Sequence, residues 1–447
     1  MARKRTIAEA VIASEVSVRR SLRVTKKAKL EDVEISKHKK LGANEDIGEA
    51  QRMVASGSSS TSSPIVDAKP KRTKKAKTET LDLSALPERA TSAWKVGAHV
   101  SAAGGVENAV YNAAKIGANA FAFFPKSQRK WVSPALTATS IQAFKTRMKE
   151  LKYDPNHVLP HGSYLINLGN PDAEKREKSY ECFLDDLKRC HALGLLLYNF
   201  HPGSCLGTVP PSTSISHIAD CINRAHKDTP GSNVIAVIEN MAGAGNVIGG
   251  PFSQIGEIIS QVEDKSRVGV CLDTCHMFAA VDIFLSLLRS SITYVRSGQG
   301  YDIRTKEGWD KMLDEFEKEI GLKYLRGMHI NDSKTACGSN KDRHDNVGLG
   351  YLSLSTFQHV LRDKRVQNIP LILETPAHED EKEWNVWKTE IKVLNGLSNP
   401  GSEEDVDLAK WREEISAVVR AAGGGKEKKP KPKGKLKKKA TGEEDGN

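Results

Sequence analysis

The stretch Val268-Gly-Val-Cys-Leu-Asp-Thr-Cys-His276 decides the fold class of this chain. A short apolar run, 268–272, ends in the carboxylate of Asp273, and the imidazole of His276 follows three residues later. Continuous apolar runs of this length are typical of parallel strands that are buried on both faces. The stretch therefore predicts a buried strand whose carboxyl end carries metal-binding side chains.

The same pattern recurs from Trp94 onward, where short apolar runs alternate with amphipathic helical segments. Eight strand–helix units within about 300 residues predict an α/β chain folded as a closed (β/α)8 TIM barrel. A doubly wound open sheet is the structural alternative, but no G-x-G-x-x-G follows the first run. The predicted strands are 96–100, 120–124, 158–159, 195–200, 234–238, 268–272, 324–330 and 370–373. The predicted helices include 106–116, 141–151, 173–193, 215–225 and 255–262.

The net charge of +11 is concentrated at the two ends of the chain. Residues 1–93 hold 20 Lys and Arg against 12 Asp and Glu, and residues 421–447 hold 9 against 4, which leaves −2 for the middle. Such composition predicts a disordered basic extension over 1–93 and a disordered basic tail within a C-terminal segment, 399–447. The barrel is predicted to occupy 94–398.

Two lysine-rich clusters, 69–77 and 426–439, predict binding to the nuclear import machinery, with a solvated linker as the alternative interpretation. The predicted location is the nucleus. The mitochondrion is a second prediction, because five arginines lie in the first 24 residues, although Glu9 and Glu15 weaken a presequence. Seven cysteines without zinc-finger or redox spacing, and no signal peptide, predict an intracellular chain with reduced thiols. No apolar run is long enough to cross a membrane, and a monomer is expected.

Most predicted strands end in a side chain that can bind a metal ion, and a barrel brings all of these ends to one rim. The candidates are His99, His161, His201, Glu239, Asp273, His276, His329 and Glu374, with Asp342 and His344 in the loop after the seventh strand. Without His99 these are five imidazoles and four carboxylates, too many for one ion but enough for three if one carboxylate bridges two. Zinc is favoured, with manganese as the alternative at one site, because all-oxygen magnesium sites would not use five histidines.

The motifs at these positions resemble those of the endonuclease IV family of apurinic/apyrimidinic (AP) endonucleases, and the basic tails are similar to those of its fungal nuclear members. The resemblance covers about 94–398. The motifs that carry it are Val96-Gly-Ala-His-Val-Ser-Ala-Ala-Gly-Gly105, Pro160-His-Gly-Ser-Tyr-Leu-Ile-Asn-Leu-Gly169, Asn199-Phe-His-Pro-Gly-Ser204, Ile238-Glu-Asn240, Val270-Cys-Leu-Asp-Thr-Cys-His276, Gly327-Met-His-Ile-Asn-Asp-Ser-Lys334, Asp342-Arg-His344 and Leu373-Glu-Thr375.

That resemblance implies three zinc ions per chain and hydrolysis of the phosphodiester 5′ to abasic sites in duplex DNA, in base excision repair. Trimming of blocked 3′ ends is implied as well. The implied ligands are His161, His201 and Glu239 for one ion, Glu239, Asp273, His329 and Glu374 for a second, and His276, Asp342 and His344 for a third. Glu239, as the bridge, and Glu374, which would orient or deprotonate the attacking water, are the implied catalytic residues. Arg129, Tyr164 and Leu165 match the loops that wedge into DNA, and His99 is expected to support the ligands at the same rim.

One departure from the family pattern is the presence of 19 extra residues, 281–299, between Ala280 and Gly300. Every valine codon begins with GT and one glutamine codon is CAG, so an in-frame retained intron would translate as a segment that begins with Val281 and ends with Gln299. We predict such an intron, with an extra capping helix as the alternative.

Two other functions compete with the nuclease. A sugar isomerase or epimerase on the same kind of barrel also gathers His, Asp and Glu around one or two divalent ions, but it gives no reason for the Asp342-x-His344 pair or the basic tails. A DNA-binding chain inactivated by the segment 281–299 is the other alternative, and its metal content would separate it from the enzyme.

Overall fold

The structure, a computed structural model, describes residues 85–280, 300–378, 383–398 and 407–424. The segment 281–299 and the two lysine-rich clusters lie outside these ranges, so the predictions made for them stay predictions. None of the described helices is long and apolar enough to span a membrane.

Seven parallel strands form the main sheet, and a short antiparallel hairpin adds two more strands. The strands of the main sheet are β1 Lys95–His99, β2 Ala120–Ala122, β3 Leu197–Phe200, β4 Ile235–Glu239, β5 Val268–Asp273, β6 Leu325–His329 and β9 Pro370–Leu373. Their order is β2-β1-β9-β6-β5-β4-β3. The hairpin pairs β7, Asp332–Ser333, with β8, His344–Asp345. Each barrel strand is short and buried, which is expected of a parallel sheet covered on both faces.

The segment 158–161 closes the sheet into a barrel between β2 and β3. Leu159 N and His161 N donate to carbonyls of Phe121 and Phe123, while Asn199 N donates to the Pro160 carbonyl. The predicted strand 158–159 is therefore present as single bridges rather than a ladder. Pro160 has no N–H to give to β3, which limits regular pairing on that side. The predicted (β/α)8 barrel is confirmed.

The helices lie outside the strands and follow the predicted amphipathic segments. Their bounds are α1 Glu107–Lys115, α2 Ala138–Glu150, α3 Ala173–Leu193, α4 Pro211–Asp228, α5 Phe252–Gln261, α6 Thr274–Ala279, α7 Lys306–Glu319, α8 Ser353–Val360, α9 Asn385–Leu397 and α10 Leu408–Ala421. Helix α3 has the predicted bounds, because Asp172 caps its first turn and Gly194, at a φ of 76°, ends it in the left-handed conformation.

Two apolar cores hold the barrel together. The smaller core takes side chains from successive strands and fills the barrel interior. Its members are Ala120, Ala122, Leu159, Leu197, Val237, Cys271 and Ile372. The larger core lies between the sheet and the surrounding helices. This closed packing leaves the polar strand ends at one rim as the place where chemistry can occur.

The described chain makes contacts with the barrel on both sides of the matched motifs. Arg89 donates to the Leu151 carbonyl at 2.7 Å, and Asn119 donates to the Ala90 carbonyl at 2.8 Å. Helix α10 packs on α9, where a Cβ on Gly396 would lie only 2.6 Å from the Trp411 ring. The folded chain thus includes residues from 85–93 and a helix beyond 398.

Candidate metal centre

The structure brings the nine candidate ligands together at the carboxyl rim of the barrel. Ligand atoms within each of three groups lie within 4.8 Å of one another. These groups are His161, His201 and Glu239; Glu239, Asp273, His329 and Glu374; and His276, Asp342 and His344. They coincide with the three ligand sets implied by the motifs. The role of each residue as a ligand stays a prediction that bound metal would test.

The two oxygens of Glu239 face different groups. Its Oε2 lies 3.2 Å from His161 Nε2 and 3.4 Å from His201 Nε2, while its Oε1 lies 3.1 Å from His329 Nδ1. Two ligands on one tetrahedral zinc, each at about 2.0–2.1 Å, are separated by about 3.3 Å. The spacings therefore fit a carboxylate that offers one oxygen to each of two ions. Glu239 is fully buried, so bulk water does not compete with these partners for its oxygens.

The third group joins helix α6 to the hairpin loop. Asp342 lies 3.2 Å from His276 Nε2 and 3.1 Å from His344 Nε2. Both nitrogens are buried, and neither has a hydrogen-bond partner among the described residues. His276 is aimed by its other nitrogen, Nδ1, which lies 2.9 Å from the Asn240 carbonyl and donates to it. That bond leaves Nε2 facing Asp342, as the nitrogen that would bind a metal ion after losing its proton.

Opposite charges are balanced within the centre. Burial disfavours charge on His276, but Asp273, Asp342 and Glu239 more than offset it, so its pKa is raised well above the usual range. Burial alone would raise the pKa of Glu239, yet His329 and His201 hold that pKa well below its usual range. A divalent cation would take the place of the protons on these imidazoles, so metal binding is expected to release protons.

Three asparagines position the ligands; all three stand in the motifs that carry the family resemblance, but no role was predicted for them. Asn199 Nδ2 donates to Glu239 Oε2 at 2.6 Å. Asn331 contacts two ligands of one group, because its Nδ2 donates to Asp273 Oδ2 at 2.6 Å and its Oδ1 accepts from the Glu374 N–H at 2.8 Å. Asn240 Oδ1 accepts from the Asp273 N–H. Asn240 and Asn331 follow barrel strands, and Asn199 lies inside one, which was the available sequence signal.

His99 lies at the same rim, and its role in supporting the ligands stays a prediction. Its Nδ1 lies 3.0 Å from Glu374 Oε1, and its ring packs 4.4 Å from the ring of Phe124. It belongs to none of the three groups of ligands, and it fixes the side chain of one of their members.

A cysteine adds a fourth group that the motifs did not single out as ligands. Asp273, Cys275 and His344 also place one ligand atom each within 4.8 Å of the others. Burial raises the pKa of the Cys275 thiol to about 12 in the absence of metal. In the ligand set implied by the family resemblance, the partner of His344 is Asp342.

Two buried carboxylates organise the loop that carries His344. Asp332 accepts hydrogen bonds from five backbone N–H groups, those of Ser333, Gly348, Gly350, Leu352 and Ser353. Glu390, from α9, accepts from the Val347 N–H at 2.9 Å, from Asn346 Nδ2 at 3.1 Å and from the Thr375 hydroxyl. Glu390 thereby connects the loop to the residue after Glu374.

Replacing Glu390 with glutamine should remove a pH dependence of stability. Burial raises the pKa of Glu390 to about 7, although its hydrogen bonds act to lower that pKa. A glutamate in the unfolded chain has a pKa of about 4.3. The folded chain binds more protons between those values, so the free energy of unfolding falls as pH rises through this window. The free energy of unfolding of Glu390→Gln minus that of the wild type should therefore grow by about 2–3 kcal/mol from pH 5 to pH 8. Urea unfolding at both pH values measures it, and a constant difference would contradict the raised pKa.

The three residues predicted to contact DNA lie in two loops, and one of them, Tyr164, contacts the centre. Tyr164 is 58% exposed, and its ring centroid lies 5.4 Å from that of His161 and 5.6 Å from that of His201. Arg129 is exposed, whereas Leu165 is half-buried. Aromatic, basic and apolar side chains around a buried ionic site suit a ligand with bases and phosphates.

Known proteins are similar to this chain in sequence and in their barrel fold. Residues 110–397 match the family described as xylose isomerase-like TIM barrel. A probable endonuclease 4 of Campylobacter concisus (strain 13826) is 48% identical over 302 residues, which cover 68% of this chain and 97% of the relative. The chain belongs to the endonuclease IV family. The family resemblance predicted from the motifs is thus confirmed.

Two further relatives are similar over about the same length of this chain. Apurinic-apyrimidinic endonuclease 1 of Plasmodium berghei (strain Anka) is 49% identical over 299 residues, 67% of this chain and 54% of the relative. The protein of that name in Plasmodium falciparum (isolate 3D7) is 47% identical over 302 residues, 68% of this chain and 47% of the relative. The chain spans about half the length of these two relatives. The crystal structure of endonuclease IV from Thermus thermophilus aligns with a TM-score of 0.54 at 28% identity, over 68% of this chain and 98% of that one.

Proposed function

We propose that this endonuclease IV family member is a zinc-dependent AP endonuclease, which hydrolyses the phosphodiester 5′ to abasic sites in duplex DNA and trims blocked 3′ ends. The observation that carries the proposal is the shared carboxylate of Glu239 between two ligand groups, with the third group adjoining and Tyr164 above them. Relatives named as apurinic-apyrimidinic endonuclease and endonuclease 4 support it. Three zinc ions are proposed, with manganese as the alternative at one site.

The buried ligands prepare the site for an attack at phosphorus. Bound zinc ions would lower the pKa of an attacking water and neutralise charge that develops on the phosphate. Glu374, held by His99 at 3.0 Å, is oriented to position that water or to accept its proton. Asn331 holds the Asp273 carboxylate through Nδ2 and the Glu374 backbone N–H through Oδ1, so it fixes one carboxylate directly and the backbone that carries the other.

The exposed loops would recognise the damaged strand. An abasic nucleotide has no base to unpair, so extruding it from the duplex toward the rim requires little energy. Arg129 and Tyr164 would fill the space that it leaves, and Leu165 would wedge into the duplex beside Tyr164. The ring of Tyr164 above His161 and His201 would also exclude water from the centre.

An incision assay tests the proposal. Labelled duplex with one abasic site should be cut once, 5′ to the lesion, and chelation of the metal should abolish the cut. A matched undamaged duplex and common ketoses serve as controls. Conversion of a ketose without incision of abasic DNA would identify a sugar isomerase instead. If the chain binds metal but neither cuts abasic DNA nor converts a ketose, the proposed enzymatic activity is refuted.

Deleting the basic ends should weaken non-specific DNA binding. Removal of residues 1–84 and 425–447 takes away 28 basic and 15 acidic residues, a net charge of +13, and leaves the described chain intact. Fewer counterions are then released, so affinity for undamaged duplex should fall and its dependence on salt should flatten. Incision at low salt should survive. A titration of Kd against salt measures this, and an unchanged slope would show that the ends do not contact DNA.

The clusters 69–77 and 426–439 support a nuclear location through the import machinery. A fluorescent fusion in which the lysines of both clusters are replaced with glutamine should no longer accumulate in the nucleus. A fusion that stays nuclear with both clusters replaced would contradict the proposal, and a mitochondrial signal would identify the second predicted location.

A further inference from the structure

A buried lysine fixes the beginning of the loop 126–134, which carries Arg129. The Lys126 side chain is 2% exposed, and its ammonium lies 2.7 Å from Asp185 Oδ2 and 3.3 Å from Asp186 Oδ1. It also donates to the Cys182 carbonyl at 2.8 Å. A lysine is rarely buried unless it is paired, and here all of these partners belong to helix α3. The beginning of the loop is thus held against that helix.

The Asp185 carboxylate, which binds Lys126, also holds the end of the loop 126–134. Arg189 Nε lies 2.9 Å from Asp185 Oδ2, the oxygen that contacts Lys126. The Arg189 guanidinium then donates through Nη2 to the carbonyls of Ser133 and Pro134, at 3.1 and 2.8 Å. A planar guanidinium keeps these directions fixed relative to each other. Asp185 therefore connects the two ends of the loop 126–134.

Further contacts hold the middle of the loop. Lys178 lies over the Trp131 ring, with Nζ 4.7 Å from its centroid. Positions 178, 182, 185 and 189 are three or four residues apart, so they share one face of α3. From the other side, the Ser163 hydroxyl donates to the Gln128 carbonyl at 2.8 Å and accepts from the Leu165 N–H at 3.2 Å. The two loops predicted to contact DNA are therefore joined to each other as well as to α3.

We propose that this face of α3, through Asp185, is a positioning element that sets the affinity for damaged DNA by presenting the loop 126–134 in its binding conformation. The inference rests on the proposed AP endonuclease function. A loop that is fixed before binding loses less conformational freedom when DNA arrives, so binding is tighter. Within the described part of the chain, the side-chain hydrogen bonds and ion pairs of Asp185 go to Lys126 and Arg189, and none goes to a candidate metal ligand. This face of α3 therefore affects DNA binding without changing the geometry of the metal centre.

Asp185→Asn separates positioning from simple electrostatics. The substitution removes a negative charge, which by itself strengthens DNA binding. Loss of positioning acts in the opposite direction, and we expect KM for abasic duplex to rise by roughly fivefold to tenfold. The kcat at saturating DNA and the bound metal should stay at wild-type values. Asp185→Glu, which keeps the charge, should recover most of the lost affinity.

The matched control lies on the same helix. Glu177→Gln also removes a carboxylate that binds an arginine, because Glu177 Oε1 accepts from Arg224 Nη2 at 2.7 Å, but that pair is exposed and makes no contact with the loop among the described residues. Its KM should equal or fall below that of wild type. The second variant is Arg189→Lys, which keeps the positive charge but loses the guanidinium that donates to the carbonyls of Ser133 and Pro134. It should also raise KM.

The outcomes distinguish the inference from the function on which it rests. A wild-type chain that fails to cut abasic DNA refutes the proposed function itself. A wild-type chain that cuts, with Asp185→Asn and Arg189→Lys both at the KM of Glu177→Gln, refutes the positioning element alone. A loss of kcat and bound metal in proportion to the loss of kcat/KM would show that α3 acts through the metal centre, and would overturn the inference. If Asp185→Asn does not fold, Arg189→Lys decides the matter.

Discussion

Replacing Glu239 with alanine should remove two of the three proposed zinc ions and lower the rate of abasic incision by about a thousandfold or more. One oxygen of Glu239 faces His161 and His201 and the other faces His329, at 3.1 to 3.4 Å. Both ligand groups therefore lose a buried anion at once. Removal of a single preorganised polar group commonly lowers kcat by about 10²–10³, and here the positive charge that stabilises the transition state is lost as well.

His276→Ala is the matched comparison for that experiment. It removes a ligand from the third group only, so one ion should be lost and the first two groups should remain intact. Metal analysis of purified protein, with single-turnover incision at saturating DNA, gives both readouts. Thermal unfolding shows whether each variant is folded. If Glu239→Ala keeps three zinc ions, or loses no more metal than His276→Ala, the bridging assignment is wrong.

The positions of the candidate ligands could be predicted because a barrel brings residues that are far apart in the sequence to one rim. A short apolar run followed by His, Asp or Glu is a local signal, and parallel strands bring all such ends to the same rim. The bridging geometry of Glu239 was implied by the family resemblance and not by spacing. What the sequence could not show is which of its two oxygens faces which group, because that depends on side-chain rotamers.

The residues that hold the ligands were missed for a physical reason. Glu390 lies 44 residues from Asn346, and Asp332 lies 21 residues from Ser353, so nothing local in the sequence pairs them. A buried carboxylate in a helix such as α9 is indistinguishable from a surface glutamate until its face is known. Asn199 offered a better signal, because it interrupts the apolar strand Leu197–Phe200. A polar residue inside a buried strand needs a hydrogen-bond partner, and here the partner is Glu239.

The chain on either side of the segment 281–299 meets directly behind the metal centre. The Ala280 N–H donates to the His276 carbonyl at 2.9 Å, and the Tyr301 N–H donates to the Met277 carbonyl at 3.0 Å. A Cβ on Gly300 would lie 2.2 Å from the Ala280 carbonyl oxygen, so this position requires glycine and the two ends are in contact. Direct connection of Ala280 to Gly300 therefore needs only a local adjustment.

Deleting 281–299 should consequently stabilise the chain and raise its incision rate. Holding together the ends of a connection of 19 residues costs conformational entropy of about 2–3 kcal/mol, which a direct peptide bond avoids. We expect the free energy of unfolding to rise by about that amount, which is a large fraction of the stability of a typical domain. Because Ala280 lies four residues after the candidate ligand His276, occupancy of the third ion should also increase. Denaturant unfolding, metal analysis and incision on abasic duplex compare the two chains, and sequencing of the messenger RNA tests whether the segment is a retained intron. If all transcripts encode 281–299, and its deletion lowers stability, zinc content or incision, the segment is an integral part of the enzyme.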